Sequence, residues 1–436
     1  MRNRVLAVLF LYISFTMYSQ SHKVIIEKSD QGMKLLVDGK DFMINGMNWD
    51  YVPIGKNYAY SLWKQSDELI KAALDAEMSL LKNMGVNTIR VYTGMQPKWI
   101  TYVYETYGIY TMLNHTFGRY GLTINGVWTP VTAYNDSKTK ILLLSEVTAM
   151  AKEYKNTPGL LLYLLGNENN YGLFWAGAET EDFPEEDEKK KFIGERLGRP
   201  MYKLMNDAAI KMKLINNNLP IAICNGDLLF VEIIAEECTD VDIYGTNMYR
   251  GKSFTDAFER VKKELDMPIL FTEFGADAFN VISNEEDQEM QAFYMVENWK
   301  EIYQNAAGLG KSCNAIGGFT FQFSDGWWKY EQTKNLDVHD NNASWSNKGY
   351  YLDIEGSSNN MNEEWFGICA KGPTNSKGLY NLYPRAAYFA LQEVHQLNPF
   401  LKEMNLNIIS EHFKKIRLKK HVSKAKEYKK SLLKDE

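Results

Sequence analysis

Eight short apolar runs, each followed by a segment of helical character, recur over residues 44–323, and this alternation restricts the possible folds more than any other feature of the chain. The runs open at Ile44, Asn87, Ile109, Leu160, Ile221, Val241, Ile269 and Ile316. The stretch Leu160–Leu165 is apolar at every position, which is the pattern of a parallel strand buried on both faces. Between the runs the apolar spacing changes to a helical one. Asp67–Met84 carries Ile70, Leu74 and Leu81 on one stripe and stops at Gly85; Pro97 opens a helix through Tyr107, with Gly108 behind it. Further helices are expected over 141–154, 185–213, 254–265, 285–306 and 385–396. Eight strand–helix units predict an α/β fold, the (β/α)8 TIM barrel. An open doubly wound sheet is the rival, but no glycine-rich phosphate loop follows the first strand.

The flanks differ in character. Residues 1–19 combine a basic start, a short apolar run (Val5–Met17) and a small polar exit, as a secretory signal peptide does; cleavage is expected near Ser19–Gln20 and export to the periplasm or medium follows. The apolar run is too short to span a bilayer comfortably, and no later segment is long and apolar enough, so stable membrane insertion is not expected. A β-hairpin over Val24–Glu27 and Met33–Val37 should precede the barrel. The catalytic domain is placed at 23–400, with 324–382 rich in loops, and a Lys-rich tail at 401–436. A solvated, frayed helix is the expectation for His412–Glu436, a surface-attracting tail the alternative. A net charge of −6 argues against nucleic acid as a partner. Cys224, Cys238, Cys313 and Cys369 form no recognisable framework; Cys224 reads as a buried thiol, and a Cys224–Cys238 bridge stays open.

Two strands end in glutamate. Glu168 closes the fourth run behind Gly166 and Asn167, and Glu273 closes the seventh. Burying a carboxylate is costly, and the C-terminal strand tips are where a parallel barrel keeps its chemistry. Two carboxyls at such tips suit the cleavage of glycosidic bonds, in which one protonates the leaving oxygen and the other attacks the anomeric carbon or activates water. The many aromatics (10 Trp, 27 Tyr) suit either a sugar cleft or a large core. His115, Asn48, Asn114 and Asn247 are further polar residues at strand ends, His115 equally fit for a structural role. Trp49, Tyr51, Trp63, Trp99, Trp128 and Trp175 lie near the expected upper loops, whereas Trp299 falls mid-helix and reads as core. With six His and no HxH or HExxH pattern, neither a catalytic metal nor another cofactor is expected.

These residues resemble the clan A retaining glycoside hydrolases. Residues 36–48 look like the first barrel strand of the family 2 enzymes. Thr88–Tyr92, Gly166–Glu168, Asp242–Tyr249 and Thr272–Gly275 are similar to the β-1,3-glucanosyltransferases. The resemblance covers about residues 35–330. It implies a carbohydrate substrate, Glu168 as general acid/base, Asn167 on the sugar 2-hydroxyl and Glu273 as nucleophile. It implies too that Arg90 and Tyr249, or more weakly Tyr244, bond the nucleophile, and that Trp327 or Trp328 floors the reacting sugar. From the residues alone, Arg90 fits simple neutralisation of a buried acid, and Tyr249 fits core as well as site. The extra N-terminal domains of family 2 and the disulfide-rich module of some glucanosyltransferases are not expected here. Glucanosyl transfer, a non-catalytic carbohydrate-binding barrel and a metal-dependent barrel enzyme are the alternatives.

Overall fold

The computed structural model describes residues 21–92, 94–174, 183–329, 332–346, 349–350 and 359–434. The proposed leader and Trp175 lie outside them. All eight expected strands form: β1 (Ile44–Asn48), β2 (Thr88–Val91), β3 (Tyr110–His115), β4 (Leu160–Leu165), β5 (Ile221–Gly226), β6 (Ile243–Asn247), β7 (Ile269–Phe274) and β8 (Ala315–Thr320). They pair in parallel in chain order, and β8 pairs with β1 to close the barrel. Every residue of β4, β5 and β7 is buried, because the barrel interior fills one face and the helices cover the other.

The helices flanking the barrel include α1 (Asp67–Met84), α2 (Pro97–Tyr107), α3 (Ser137–Tyr154), α4 (Arg199–Ile215, reached from a short helix Asp187–Ile193 through the π-helical turn Gly194–Gly198), α5 (Val231–Glu237), α6 (Ala257–Leu265), α7 (Gln288–Gln304) and α8 (Ala386–Val394). The Ser66 side chain caps α1 by accepting from the Leu69 N–H, and Gly85 ends it at φ +88°, a conformation only glycine adopts freely. Helix α3 starts four residues earlier than its apolar spacing suggests, because the Asp136 carboxylate accepts from the N–H groups of Lys138 and Thr139. Trp299 is fully buried in α7.

The expected hairpin gains a third strand. Val24–Ser29, Gly32–Val37 and Lys40–Phe42 make an antiparallel sheet. It lies at the N-terminal end of the barrel, where Val24 N–H donates to Asn218 O and Met33 N–H to Cys313 O, each 2.7 Å. Leu35 and Val24 point into the core, so the sheet plugs the end opposite the strand tips. After β8 a long excursion leads to a second hairpin, Cys369–Thr374 with Tyr380–Pro384, which sequence spacing did not indicate. Its exit is held by Arg385, buried and bonded to both Asp325 oxygens at 2.7 and 2.8 Å.

The Lys-rich tail is helical as expected, but it is docked rather than solvated and frayed. It forms α9 (Leu406–Lys415) and α10 (Leu418–Leu432), and α10 packs on α8 and on the Tyr380–Pro384 strand. Burial of Ile409, Phe413, His421 and Ala425 supplies the driving force. All four cysteines are free thiols, so no Cys224–Cys238 bridge forms.

Candidate active site

Arg90 organises the C-terminal mouth. It projects inward from β2 with no solvent exposure. Its Nη1 donates to Glu273 Oε1 at 2.8 Å and to the Thr272 carbonyl at 3.1 Å, while Nη2 donates to the side-chain oxygens of Asn114 (2.8 Å) and Asn167 (2.7 Å). One guanidinium therefore joins β2, β3, β7 and the turn after β4. A planar fork of five donors suits this task, which an ammonium could not perform.

Glu273 receives two more donors. The Tyr92 hydroxyl lies 2.7 Å from Oε1 and the Tyr249 hydroxyl 3.2 Å from Oε2. Burial pushes both phenols well above their usual range; for Tyr92 the Arg90 charge partly opposes this and the Glu273 charge adds to it, and for Tyr249 the Glu273 charge adds to it. Both stay protonated and can donate. Three donors around one carboxyl complement a carboxylate rather than a carboxylic acid. The Tyr249 ring is itself fixed by edge-on contacts to Phe321, Trp345 and Phe366, with centroids 6.4, 5.5 and 5.7 Å away.

The turn after β4 sets Glu168. Gly166 has φ +86° and Glu168 φ +54°. A Cβ on Gly166 would meet Asn169 Oδ1 at 2.7 Å, so glycine is required on two counts. Glu168 holds a left-handed conformation unfavourable for a side chain of its length, by roughly 1–2 kcal/mol. The strain is balanced by the Glu168 N–H bond to the Cys224 carbonyl (3.0 Å) and the Asn167 N–H bond to Asn169 Oδ1 (2.7 Å). Asn167 Nδ2 donates to the Tyr120 hydroxyl at 2.9 Å.

Below this layer, Asn48 donates to the Thr272 and Phe319 carbonyls and accepts from Tyr92 at 3.2 Å. Asn247 accepts from Thr272 Oγ1 at 2.8 Å and donates to Asn167 at 3.2 Å. Cys224 lies between them, its thiol 3.2 Å from both Asn247 Oδ1 and Thr272 Oγ1. Burial pushes that thiol up to about 11, so it remains neutral.

The structure thus gathers Arg90, Asn167, Glu273, Tyr249, Asn48, Asn114 and Asn247, with Glu168 in the turn beside Asn167. His115, Trp49 and Tyr244 instead take partners other than Arg90 and Glu273. His115 follows the inward Asn114, and alternation along a strand turns it outward; its Nε2 lies 3.5 Å from Glu146 of α3. Trp49 follows the inward Asn48 and bonds Glu77 of α1 at 2.6 Å. Tyr244, three residues before Asn247, bonds Asn225 and the Asp227 carbonyl. Trp327 stacks on His339, centroids 4.6 Å apart, and Trp328 leans on Tyr58. The ring beside Tyr249 at the end of β8 is Phe321.

Tyr92 and Tyr120 were missed. Tyr92 had a signal: it stands two residues beyond Arg90 and shares its face of the strand. Tyr120 had none, since it comes from a loop. Among the described residues no cluster of three His, Cys, Asp or Glu could hold a metal ion, and no helix is long and apolar enough to cross a membrane.

No family model matches the chain. A 1,3-β-glucanosyltransferase of Aspergillus fumigatus is 23% identical over 273 residues, covering 59% of this chain and 54% of the relative. A β-galactosidase of Lactococcus lactis is 27% identical over 152 residues, 34% of this chain and 13% of the relative. The chain thus spans at most about half the length of these curated relatives. Among solved structures, β-glucuronidase 2 of Bacteroides uniformis superposes with TM-score 0.53 at 13% identity, covering 88% of this chain and 38% of that one. A β-D-glucuronidase of Dictyoglomus thermophilum gives 0.51 at 16%, covering 88% and 55%. A family 2 β-galacturonidase of Eisenbergiella tayi gives 0.52 at 14%, covering 88% and 55%. The chain accordingly has the TIM-barrel fold of these glycoside hydrolases and resembles the clan A enzymes.

Proposed function

We propose that this chain is an exported β-glycoside hydrolase that retains anomeric configuration through a glycosyl-enzyme intermediate. The observation that carries the reading is Glu273, held at the tip of β7 by Arg90, Tyr92 and Tyr249. A carboxylate fixed by three donors has one defined direction of attack and little freedom to lose on reaching the transition state.

In the first step a Glu273 oxygen bonds to the anomeric carbon as the glycosidic C–O bond breaks, and the Glu168 carboxyl gives its proton to the departing oxygen. In the second, the Glu168 carboxylate takes a proton from water, whose oxygen attacks the anomeric carbon and releases Glu273. Asn167, already oriented by Arg90, Asn247 and Tyr120, would meet the 2-hydroxyl. β-Linked glucan- or mannan-like oligosaccharides are the proposed substrates, and export rests on the leader-like N-terminus. The similarity to a glucanosyltransferase favours a second reading, in which an acceptor sugar replaces water in the second step.

The test is a set of aryl β-glycosides and defined oligosaccharides with product configuration followed by NMR. Retained configuration, and loss of turnover by at least a thousandfold in Glu273→Ala, are expected. Inversion, or turnover surviving in that variant, would refute the mechanism. Larger rather than smaller products would select transfer.

A further inference from the structure

Residues 412–436 hold ten Lys and Arg against three carboxylates, a net +7 that leaves −13 on the rest of a chain of net −6. The structure orders this charge. Helix α10 buries His421 and Ala425, with Leu418, Val422 and Leu432 half-buried on the same stripe. The opposite face carries Lys419, Lys426 and Lys430, continued by Lys434, all exposed. At about 1.5 Å per residue these four ammonium groups span roughly 22 Å along one line. None of them has a carboxylate within ion-pair distance among the described residues; the pairs of this region are Lys414–Glu411 and His421–Glu393.

Most of the array does not serve the helix. Lys420–Lys424 and Lys426–Lys430 are like-charge pairs at i,i+4, which destabilise a helix. Lys419 and Lys420 stand in its first turn, at the positive end of the dipole, and only Lys429 and Lys430, in the last turn, complement it. Such a ridge on an otherwise acidic protein projects a local positive field into solvent.

We infer that the exposed ridge of α10 binds a linear anionic polysaccharide carrying carboxylate groups, and so holds the barrel on a polymer matrix. Two features favour a chain molecule over a lipid surface. The apolar stripe of α10 is already spent on α8 and the Tyr380–Pro384 strand, so no apolar face remains to enter a membrane. A linear polymer can also follow the ridge alone, whereas a flat anionic surface would repel the acidic remainder of the protein. The choice of polysaccharide over other linear polyanions rests on the glycosidase reading.

The full chain is to be tested by co-sedimentation and affinity electrophoresis with polygalacturonate, a neutral β-glucan, vesicles of 30% anionic lipid, and a single-stranded DNA of matched charge. Polygalacturonate should bind at 50 mM salt and weaken at least tenfold at 300 mM, as screening removes the attraction. The triple variants Lys419→Glu/Lys426→Glu/Lys430→Glu and Lys419→Gln/Lys426→Gln/Lys430→Gln should lose that binding, the first more completely. Both should keep wild-type hydrolysis of a small aryl glycoside; that readout separates failure of the ridge from failure of the catalytic reading. Binding untouched by the substitutions or by salt would overturn the inference, as would vesicles or DNA held as tightly as polygalacturonate.

Discussion

Replacing Arg90 by methionine tests the centre of the site without reference to substrate. Methionine keeps the length and apolar stem and removes all five donors. It leaves Glu273, 7% exposed, without its cation, and takes the shared donor from the side-chain oxygens of Asn114 and Asn167. Breaking a buried pair from one side costs about 3–5 kcal/mol, because the remaining charge is uncompensated. For 436 residues at about 2.1 cal/mol/K each, unfolding entropy is near 0.9 kcal/mol/K, so the midpoint should fall by about 3–6 °C. Differential scanning calorimetry and urea unfolding at pH 7 measure this. Adding Glu273→Gln removes the stranded charge, so the double variant should be more stable than the sum of the two single losses, by about 2 kcal/mol. Losses that add within about 0.5 kcal/mol would refute the coupling. So would an Arg90→Met protein within 1 kcal/mol of wild type, since its guanidinium could not then be the keystone of four strand ends.

Trp345→Ala should lower kcat about tenfold with little change in KM, because the Tyr249 ring loses a wall and its hydroxyl drifts from Glu273; against a Tyr249→Phe background the same change should have almost no effect. His115→Ala and Tyr244→Phe should leave kcat/KM for an aryl glycoside within about threefold of wild type, whereas Tyr92→Phe should lower it about tenfold or more, steady-state kinetics deciding. Burial, opposed by Lys371 and the Trp49 N–H, pushes Glu77 up to about 7 from its ordinary 4.5. A raised carboxyl favours the folded state while protonated, so its contribution is present below pH 4.5 and lost as pH rises through 7. Unfolding free energy should therefore decline by roughly 1–3 kcal/mol over that window, and Glu77→Gln should flatten the decline.

Much of this was legible in sequence, for reasons that particular elements make plain. Strand β4 is apolar at six consecutive positions and cannot avoid burial on both faces. Gly85 and Gly108 stop their helices where apolar spacing ends, both in the left-handed region. Glu168 and Glu273 were visible because acids closing such runs conflict with their surroundings. The tail's helices follow from its composition, but their docking does not, because the lysines suggest solvation. A few buried residues, Ile409, Phe413, Ile416, His421 and Ala425, with half-buried Leu418 and Val422, dock the two helices, and so short an apolar stripe says little until a receiving surface is known.

The expected site residues divide on one physical point. Asn48 and Trp49, and likewise Asn114 and His115, are neighbours at strand ends, and a strand can turn only one of each pair inward. Sequence determined that these residues stand at the mouth, because strand boundaries follow from local composition. It also determined the order of strands, since parallel units joined by helices pair with their neighbours. Only the closed barrel decided which neighbour faces the axis, because that parity depends on the register of β8 on β1 and of β3 on β4. Closure alone also set Arg90 against Glu273, 183 residues further along the chain, where one buried guanidinium meets the side chains of Asn114, Asn167 and Glu273. Those contacts arise from the small radius of an eight-stranded barrel, a property of the ring that no single strand carries.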